Sequence, residues 1–182
     1  MKIVQAPDVV LSQQAKPINK IDKSILDLIE EMKKTLVSAT DPEGVGLAAP
    51  QVGKSLQLFI VKPTPKDDFT IFINPTVTLM QETEKTTPAK KKKEDKRLEG
   101  CLSLKDIWGT VKRAPKVAIT WQDENGTQNQ KVFTGFFATI LQHEFDHLQG
   151  ILFPKRVLEQ NGKLYKSHKD EQGEEVFDPI EL

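Results

Sequence analysis

Two of the three histidines in this 182-residue chain lie in one short run, His143-Glu144-Phe145-Asp146-His147. In a helix, residues four apart lie on the same face one turn apart, so both imidazoles could bind one metal ion. Glu144 is adjacent and could act as a general base toward a metal-bound water. The alternative is a charged helix that contains two histidines without being a ligand site. The spacing favours a catalytic metal site.

A catalytic site of this kind usually has three protein ligands and one open position. In the extended zinc-protease pattern the next histidine would follow six residues later, but that position is Phe153, which cannot bind metal. His168 and the acidic residues near the C-terminus lie in polar sequence and are poor candidates for a rigid ligand. Cys101, the only cysteine, lies in Glu99-Gly100-Cys101-Leu102-Ser103 beside a glycine that allows close backbone approach. A lone cysteine is usually a small buried hydrophobe, but beside an incomplete two-histidine site we predict a ligand.

A third group is the run Gly44-Val45-Gly46-Leu47-Ala48-Ala49-Pro50-Gln51. Its small residues leave the backbone approachable, and the amide of Gln51 can donate hydrogen bonds. The run lacks the third glycine and the lysine of phosphate-binding loops, which argues against a nucleotide site. The alternative is an ordinary glycine-rich turn.

Two helices and several short strands are predicted to position these residues. Apolar residues at a spacing of three and four predict a helix over 22–37 with Asp22 as its N-cap. A second helix over about 134–149 carries the two histidines, and Gly150 ends it. Strand-like runs are expected at 56–61, 70–73, 76–80, 117–121 and 131–133, the last two joined by a turn at Asn125-Gly126. The pattern predicts an α+β fold, with short antiparallel strands around a central metal-binding helix and one N-terminal amphipathic helix.

The chain is expected to form one catalytic domain over 1–160 and a polar C-terminal tail over 161–182, either a loose hairpin or unstructured. The lysine-rich stretch 81–97 has almost no large apolar residue, and we interpret it as a mobile, solvated loop rather than a nucleic-acid or ribosome contact.

Overall composition limits the function classes. Lysine plus arginine and aspartate plus glutamate number 26 each, so net charge draws the chain neither to nucleic acid nor to a membrane surface. No apolar run approaches the roughly 20 residues of a membrane span. The first thirty residues carry four acidic residues and lack a continuous apolar core, so they do not match a signal or transit peptide. A single cysteine excludes an internal disulfide. We therefore predict a cytoplasmic globular protein without a targeting segment, and a monomer.

The motifs G-V-G-L-A-A-P-Q, E-G-C-L-S and H-E-F-D-H, in this order, resemble the three signature motifs of peptide deformylases. That family removes the N-terminal formyl group from nascent polypeptides. The resemblance extends from the N-terminus to about Arg156 and includes Ile73-Asn74-Pro75. It implies N-formylmethionyl nascent peptides as substrates, with no more than transient ribosome contact, and one divalent metal ion. Iron(II) is implied as the working metal, and zinc, nickel or cobalt are alternatives in the purified protein.

The resemblance also implies roles for individual residues. Cys101, His143 and His147 would bind the metal, and metal-bound hydroxide would attack the formyl carbon with Glu144 as general acid and base. The remaining roles fall on residues of the first two motifs: the Gln51 amide and the Leu102 backbone N–H for the developing oxyanion, and the backbone of Val45 and Gly46 for pairing with the peptide.

A methionine side chain needs an apolar pocket beside the metal. Thr139 and Ile140 lie one turn before His143 and are predicted to line it. The other walls are expected from the first two motifs and the strand after them, namely Val45, Leu47, Gly100 and Trp108. For Leu47, an ordinary core position is the alternative.

Two positions depart from the family pattern: Lys105 stands where the family usually has proline, and Trp108 stands where many members have arginine. Both are expected to border the peptide groove. Two alternative functions follow. One is a metallopeptidase that cuts internal amides, and the other is a metal-stabilised relative that binds N-termini without turnover.

Overall fold

The computed structural model describes residues 1–40, 43–80 and 98–181. The helices are α1 (Lys23–Ser38), α2 (Gly135–Leu148) and α3 (Phe153–Glu159), with 3-10 turns at Val9–Ser12 and Ala49–Val52. The strands are β1 (Gly46–Ala48), β2 (Leu58–Val61), β3 (Thr70–Met80), β4 (Glu99–Cys101), β5 (Leu104–Gly109), β6 (Lys116–Gln122), β7 (Gln128–Thr134), β8 (Leu164–Lys169) and β9 (Glu175–Pro179). The lysine-rich stretch predicted to be a loop, 81–97, lies outside the described residues.

The strands form two antiparallel sheets. One has the order β1-β2-β3-β6-β7 and the other the order β4-β5-β8-β9. The predicted α+β class is therefore confirmed. Where two strands were predicted over 70–80 there is a single strand, β3, whose register against β6 shifts between Ile73 and Thr76. Asn74 has a φ of 49° at this irregularity and Pro75 has no N–H to donate, which explains why the sequence resembles two strands.

Helix α1 begins as its sequence predicts. The side chain of Asp22 accepts hydrogen bonds from the backbone N–H groups of Ser24 and Ile25, so it caps the helix. The apolar stripe that includes Ile29, Met32 and Leu36 is buried against the first sheet. The predicted N-terminal amphipathic helix is thus confirmed, with its bounds shifted by one residue.

Helix α2 is the central helix, and its apolar residues belong to the core that the first sheet supplies. Ala138, Ile140, Leu141 and Leu148 cluster with Phe72 and other aromatic residues of the sheet. Gly150 follows the helix with a φ of +69°, the left-handed conformation that ends many helices. The helix therefore holds the two histidines on a rigid, largely buried element.

The C-terminal segment is a hairpin. Strand β8 pairs with β5, with Trp108 opposite Tyr165, and β9 pairs with β8. Of the two options stated for 161–182, the structure shows the hairpin, whereas the domain boundary at residue 160 stays a prediction. Among the described residues, no helix combines the length and the apolar composition that a membrane crossing requires.

Candidate active site

Three donor residues meet between β4 and α2. Cys101 ends β4, and His143 and His147 lie one turn apart on α2. One ligand atom from each, a sulfur and two imidazole nitrogens, can be chosen so that all lie within 4.8 Å of one another. The Sγ atom of Cys101 is 3.3 Å from Nε2 of His147. The structure therefore brings together the three residues that the spacing and the resemblance predicted as ligands.

A carboxylate that was not predicted to have a role fixes one of these imidazoles. Nδ1 of His143 lies 3.2 Å from Oε2 of Glu99, which leaves its other ring nitrogen for a ligand. Glu99 also accepts hydrogen bonds from Nε and Nη2 of Arg113, both at 2.9 Å. Burial raises the pKa of Glu99, but the bonds from His143 and Arg113 outweigh it and lower the pKa to about 2.

The surroundings shift the pKa values of the two histidines in opposite directions. Burial opposes the imidazolium form of His143, but its bonds to Cys101 and Glu99 raise its pKa well above the ordinary value. Burial lowers the pKa of His147 well below the ordinary value, and the positive charges of His143 and Arg113 lower it further. A metal ion that bound here would require the neutral form of His143.

Glu144 is a buried carboxyl group with an unpartnered oxygen. The residue is 3% exposed, and its Oε2 atom has no hydrogen-bond partner among the described residues. Gly46 faces it so closely that a Cβ at position 46 would lie 2.4 Å from Oε1 of Glu144, so only glycine fits there. Burial is the largest influence on the pKa of Glu144, which rises to about 7. A carboxyl group with this pKa can both accept and return a proton near neutral pH.

Gln51 and Leu102, the residues predicted to bind the oxyanion, flank Cys101. Gln51 is 1% exposed, and its Oε1 accepts a hydrogen bond of 2.8 Å from the backbone N–H of Ala48. That bond fixes the amide so that Nε2 points to Sγ of Cys101, 3.5 Å away. Leu102 follows Cys101, and its carbonyl accepts a bond of 2.9 Å from Nε2 of Gln5.

A cavity of about 280 Å³ opens beside this cluster. It is lined by most of the residues predicted to contact substrate, namely Val45, Gly46, Gly100, Thr139, Ile140 and Trp108. Leu47 is the exception, and it takes the alternative stated for it, an ordinary core position. Its side chain is fully buried in the core beneath α1, because neighbouring residues of a strand point to opposite faces.

Phe153 is also placed by packing. It is 1% exposed, lies in the cluster that includes Cys101, and its ring centroid is 6.2 Å from that of His143. Phe153 occupies the position of the third histidine in the zinc-protease pattern. Here it packs against the metal donors from the core instead of binding metal.

Sequence reasoning missed a charged network behind the site. Asp146 accepts bonds of 2.6 Å from Arg113 and 2.7 Å from Arg156, and Arg113 connects this pair to Glu99. Single charged residues far apart in a sequence look like surface positions. The only sequence feature that could have indicated this network is the position of Glu99 next to Gly100-Cys101.

A divalent transition metal fits this donor set. One thiol sulfur and two imidazole nitrogens, all largely buried and facing one another, are the ligand types that zinc and iron(II) accept. Together with a neighbouring carboxyl group that can transfer protons, the α+β fold and this site define a class: hydrolases with a catalytic metal site.

Within that class the family is defined by similarity. The model of the polypeptide deformylase family matches residues 1–163. A match over most of the chain shows membership, so this chain belongs to the polypeptide deformylase family and is an enzyme of that family.

Individual relatives agree with this assignment. The chain is 34% identical over 170 residues to a peptide deformylase of Desulfotalea psychrophila, covering 91% of this chain and 92% of the relative. The crystal structure of a peptide deformylase from Legionella pneumophila superposes with a TM-score of 0.72 at 36% identity, covering 85% of this chain and 84% of the other. A peptide deformylase from Synechococcus elongatus in complex with actinonin has a TM-score of 0.71 at 33% identity, covering 86% and 79%.

Proposed function

We propose that this chain removes the N-terminal formyl group from formyl-methionyl peptides of newly made proteins. Family membership supports an amide hydrolase of this kind. The observation that carries the proposal is the buried carboxyl group of Glu144, one oxygen of which has no hydrogen-bond partner among the described residues, beside the Cys101, His143 and His147 donors. Burying a polar group without a hydrogen bond costs folding free energy. Its presence in a cavity beside metal donors therefore indicates a chemical role.

Cys101, His143 and His147 would hold one divalent metal ion. Iron(II) is the proposed metal in the cell, and zinc, nickel and cobalt would bind the same donors. When bound, such an ion acts as a Lewis acid and lowers the pKa of a coordinated water.

Glu144 moves the proton in the reaction. Its pKa of about 7 allows it to take a proton from the attacking water and to deliver that proton to the leaving amine. The amide of Gln51, held by Ala48, and the backbone N–H of Leu102 donate to the oxygen that becomes negative at the formyl carbon. A single donor of this kind commonly contributes about 10²–10³ in turnover.

The peptide lies along the edge of the first sheet. Strand β1 is an edge strand, so the backbone near Val45 and Gly46 is placed to pair with an extended peptide. The methionine side chain then enters the cavity that Thr139, Ile140 and Gly100 line. Compartment, monomeric state and transient ribosome contact stay predictions from the sequence.

The test is release of formate from a formyl-Met-Ala-Ser peptide by anaerobically purified protein, with metal content measured on the same sample. We expect about one metal ion per chain at full activity and no cleavage of the acetylated analogue. Cleavage of an internal amide without formate release would instead indicate a metallopeptidase. Binding of the formylated peptide without any turnover by the metal-loaded protein would indicate a binding relative.

A further inference from the structure

Trp108 forms one wall of the cavity, and its indole contacts the β8–β9 hairpin. Its indole N–H donates a hydrogen bond of 3.0 Å to Oγ of Ser167. Its ring meets that of Phe177 edge to face, with centroids 5.6 Å apart and an interplanar angle of 89°. Ser167 and Phe177 are directly opposite each other in the β8–β9 hairpin. One pair of hairpin residues therefore contacts both the polar and the apolar part of the indole.

The other side of the indole packs directly against the backbone of Gly100. Trp108 is opposite Gly100 in the β4–β5 pairing, and a Cβ at position 100 would lie 2.8–3.0 Å from three carbons of the six-membered ring. Any side chain at position 100 would push the ring out of place. Gly100 precedes the candidate ligand Cys101, so the ring lies where the wall of the cavity meets the metal donors.

The hairpin itself begins at Leu164, immediately after the last residue that the family model matches. Its sequence is rich in charged residues, but Ser167 is only 7% exposed. A buried hydroxyl needs a partner, and Trp108 supplies it. The hairpin thus places its one buried serine, and the phenylalanine opposite it, against a residue of the cavity wall.

We propose that the β8–β9 hairpin is part of the substrate site: through Ser167 and Phe177 it positions Trp108, which selects an apolar side chain of the formylated peptide. This inference rests on the proposed function. A fixed aromatic wall adds apolar contact area at a low cost in side-chain entropy. Ser167 and Phe177 are positioning residues, and Trp108 is the residue that contacts substrate.

The first test separates KM from kcat. Ser167→Ala and Phe177→Leu should each raise KM for formyl-Met-Ala-Ser by about threefold to tenfold, the range expected for one hydrogen bond or ring contact, with kcat within about twofold. Lys166→Ala, an exposed position on the same strand, is the matched control and should leave both constants unchanged. Equal effects of Ser167→Ala and Lys166→Ala would overturn the proposal.

The second test asks whether the hairpin acts through the indole. Trp108→Ala should raise KM and reduce the preference for formyl-Met-Ala-Ser over formyl-Ala-Ala-Ser, and adding Ser167→Ala to it should have no further effect. An undiminished effect of Ser167→Ala in the Trp108→Ala background would show that the hairpin acts by another route. Melting temperatures of all variants identify any that fail to fold.

A binding readout separates this inference from the proposed function. In metal-loaded Glu144→Gln protein, titration with formyl-Met-Ala-Ser should change tryptophan fluorescence, and the change should vanish when Trp108→Phe is added. The chain has two tryptophans, and Trp121 is 7% exposed in the core, so it serves as the silent reference. A Trp108 signal without any turnover by the parent protein would refute only the proposed function. Turnover with no signal and no change in KM would refute only the inference.

Discussion

Helix α2 carries two buried carboxyl groups, two residues apart, in opposite states. Asp146 is 6% exposed, and both of its oxygens accept bonds from the guanidinium groups of Arg113 and Arg156. Glu144 is 3% exposed, and one of its oxygens has no partner among the described residues. Two positions apart corresponds to nearly opposite faces of a helix. The carboxyl group of Asp146 is thus fully paired, whereas the carboxyl group of Glu144, on the other face of α2, is not.

The difference indicates which group serves the fold and which serves the chemistry. A buried charge that is paired and hydrogen-bonded is tolerated, whereas an unpaired one costs free energy and tends to accept a proton instead. That is why the pKa of Glu144 rises to about 7, largely through burial. Glu99 links the candidate metal donors to the charged network, since it contacts both His143 and Arg113. Replacing each carboxyl group should therefore have a distinct consequence.

The largest expected effect is the loss of catalysis in the Glu144→Gln variant. The amide keeps the size of the side chain but cannot accept a proton, so formate release should fall by about 10²–10⁴. Metal content should remain that of the parent. The melting temperature should be equal or higher, because a neutral group is less costly than an unpartnered carboxylate in the same place. Parallel measurements of formate, metal content and thermal unfolding check all three.

Activity near the parent value in Glu144→Gln would contradict the role assigned to this residue. A large drop in melting temperature would contradict the comparison itself, because it would show that Glu144 stabilises the fold as Asp146 does.

The next effect is on stability, from Asp146→Asn. This change leaves two guanidinium groups facing a neutral amide in a buried position, and breaking such a pair commonly costs about 3–5 kcal/mol. The urea midpoint should fall accordingly, while the folded fraction retains kcat within about tenfold. Glu159→Gln is the matched control, because Glu159 pairs with the same Arg156 but its side chain is 45% exposed. A loss of turnover without a loss of stability would reverse the assignment of the two faces.

The candidate catalytic residues could be predicted from the sequence, whereas the charged network behind them could not. His143, Glu144 and His147 are adjacent in sequence, and helix geometry alone places the two imidazoles together. Cys101 was predicted as the third ligand because the two-histidine site lacked one and because the motifs resembled a known family. Arg113 and Asp146, in contrast, are ordinary charged residues 33 positions apart, and only the tertiary fold brings them together.

Two features that the sequence left open between alternatives have similar physical causes. Strand β1 has only three residues, all buried, so no alternation in its sequence indicates that Leu47 points to the core rather than to the cavity. The β8–β9 hairpin buries little besides Leu164 and Ser167, and its charged remainder resembles a tail. Short strands that bury few side chains show little alternation of apolar and polar residues, which is the sequence pattern that predicts a strand and its buried face.

A smaller effect should appear in the pH dependence of stability through Glu99. Its folded-state pKa is lowered to about 2 from an ordinary 4.5. A lowered pKa contributes stability that is fully present above 4.5 and is lost as the pH falls toward 2. The contribution is on the order of 3 kcal/mol. We therefore expect the urea midpoint of the parent to fall between pH 5 and pH 3 more steeply than that of Glu99→Gln.

The decisive quantity is the difference in unfolding free energy between the two proteins. It should be largest at neutral pH and shrink steadily below pH 4.5. A difference that is constant with pH would mean that Glu99 acts through packing and not through its charge.

The smallest effect should come from an ion pair of the same chemistry on the surface. Asp27 accepts a bond of 2.7 Å from Lys23 one turn earlier on α1, but the two side chains are 64% and 88% exposed. Water screens both charges there, and holding two long side chains in one geometry offsets most of the attraction. Asp27→Asn should therefore shift the melting temperature by no more than about 2 °C, and 0.5 M salt should remove even that shift. Asp146→Asn in the same buffers should keep its large effect, because salt does not screen a buried pair. If Asp27→Asn destabilised the protein as much as Asp146→Asn, burial would not be what separates the carboxyl groups of this chain, and the contrast between the two faces of α2 would lose its physical basis.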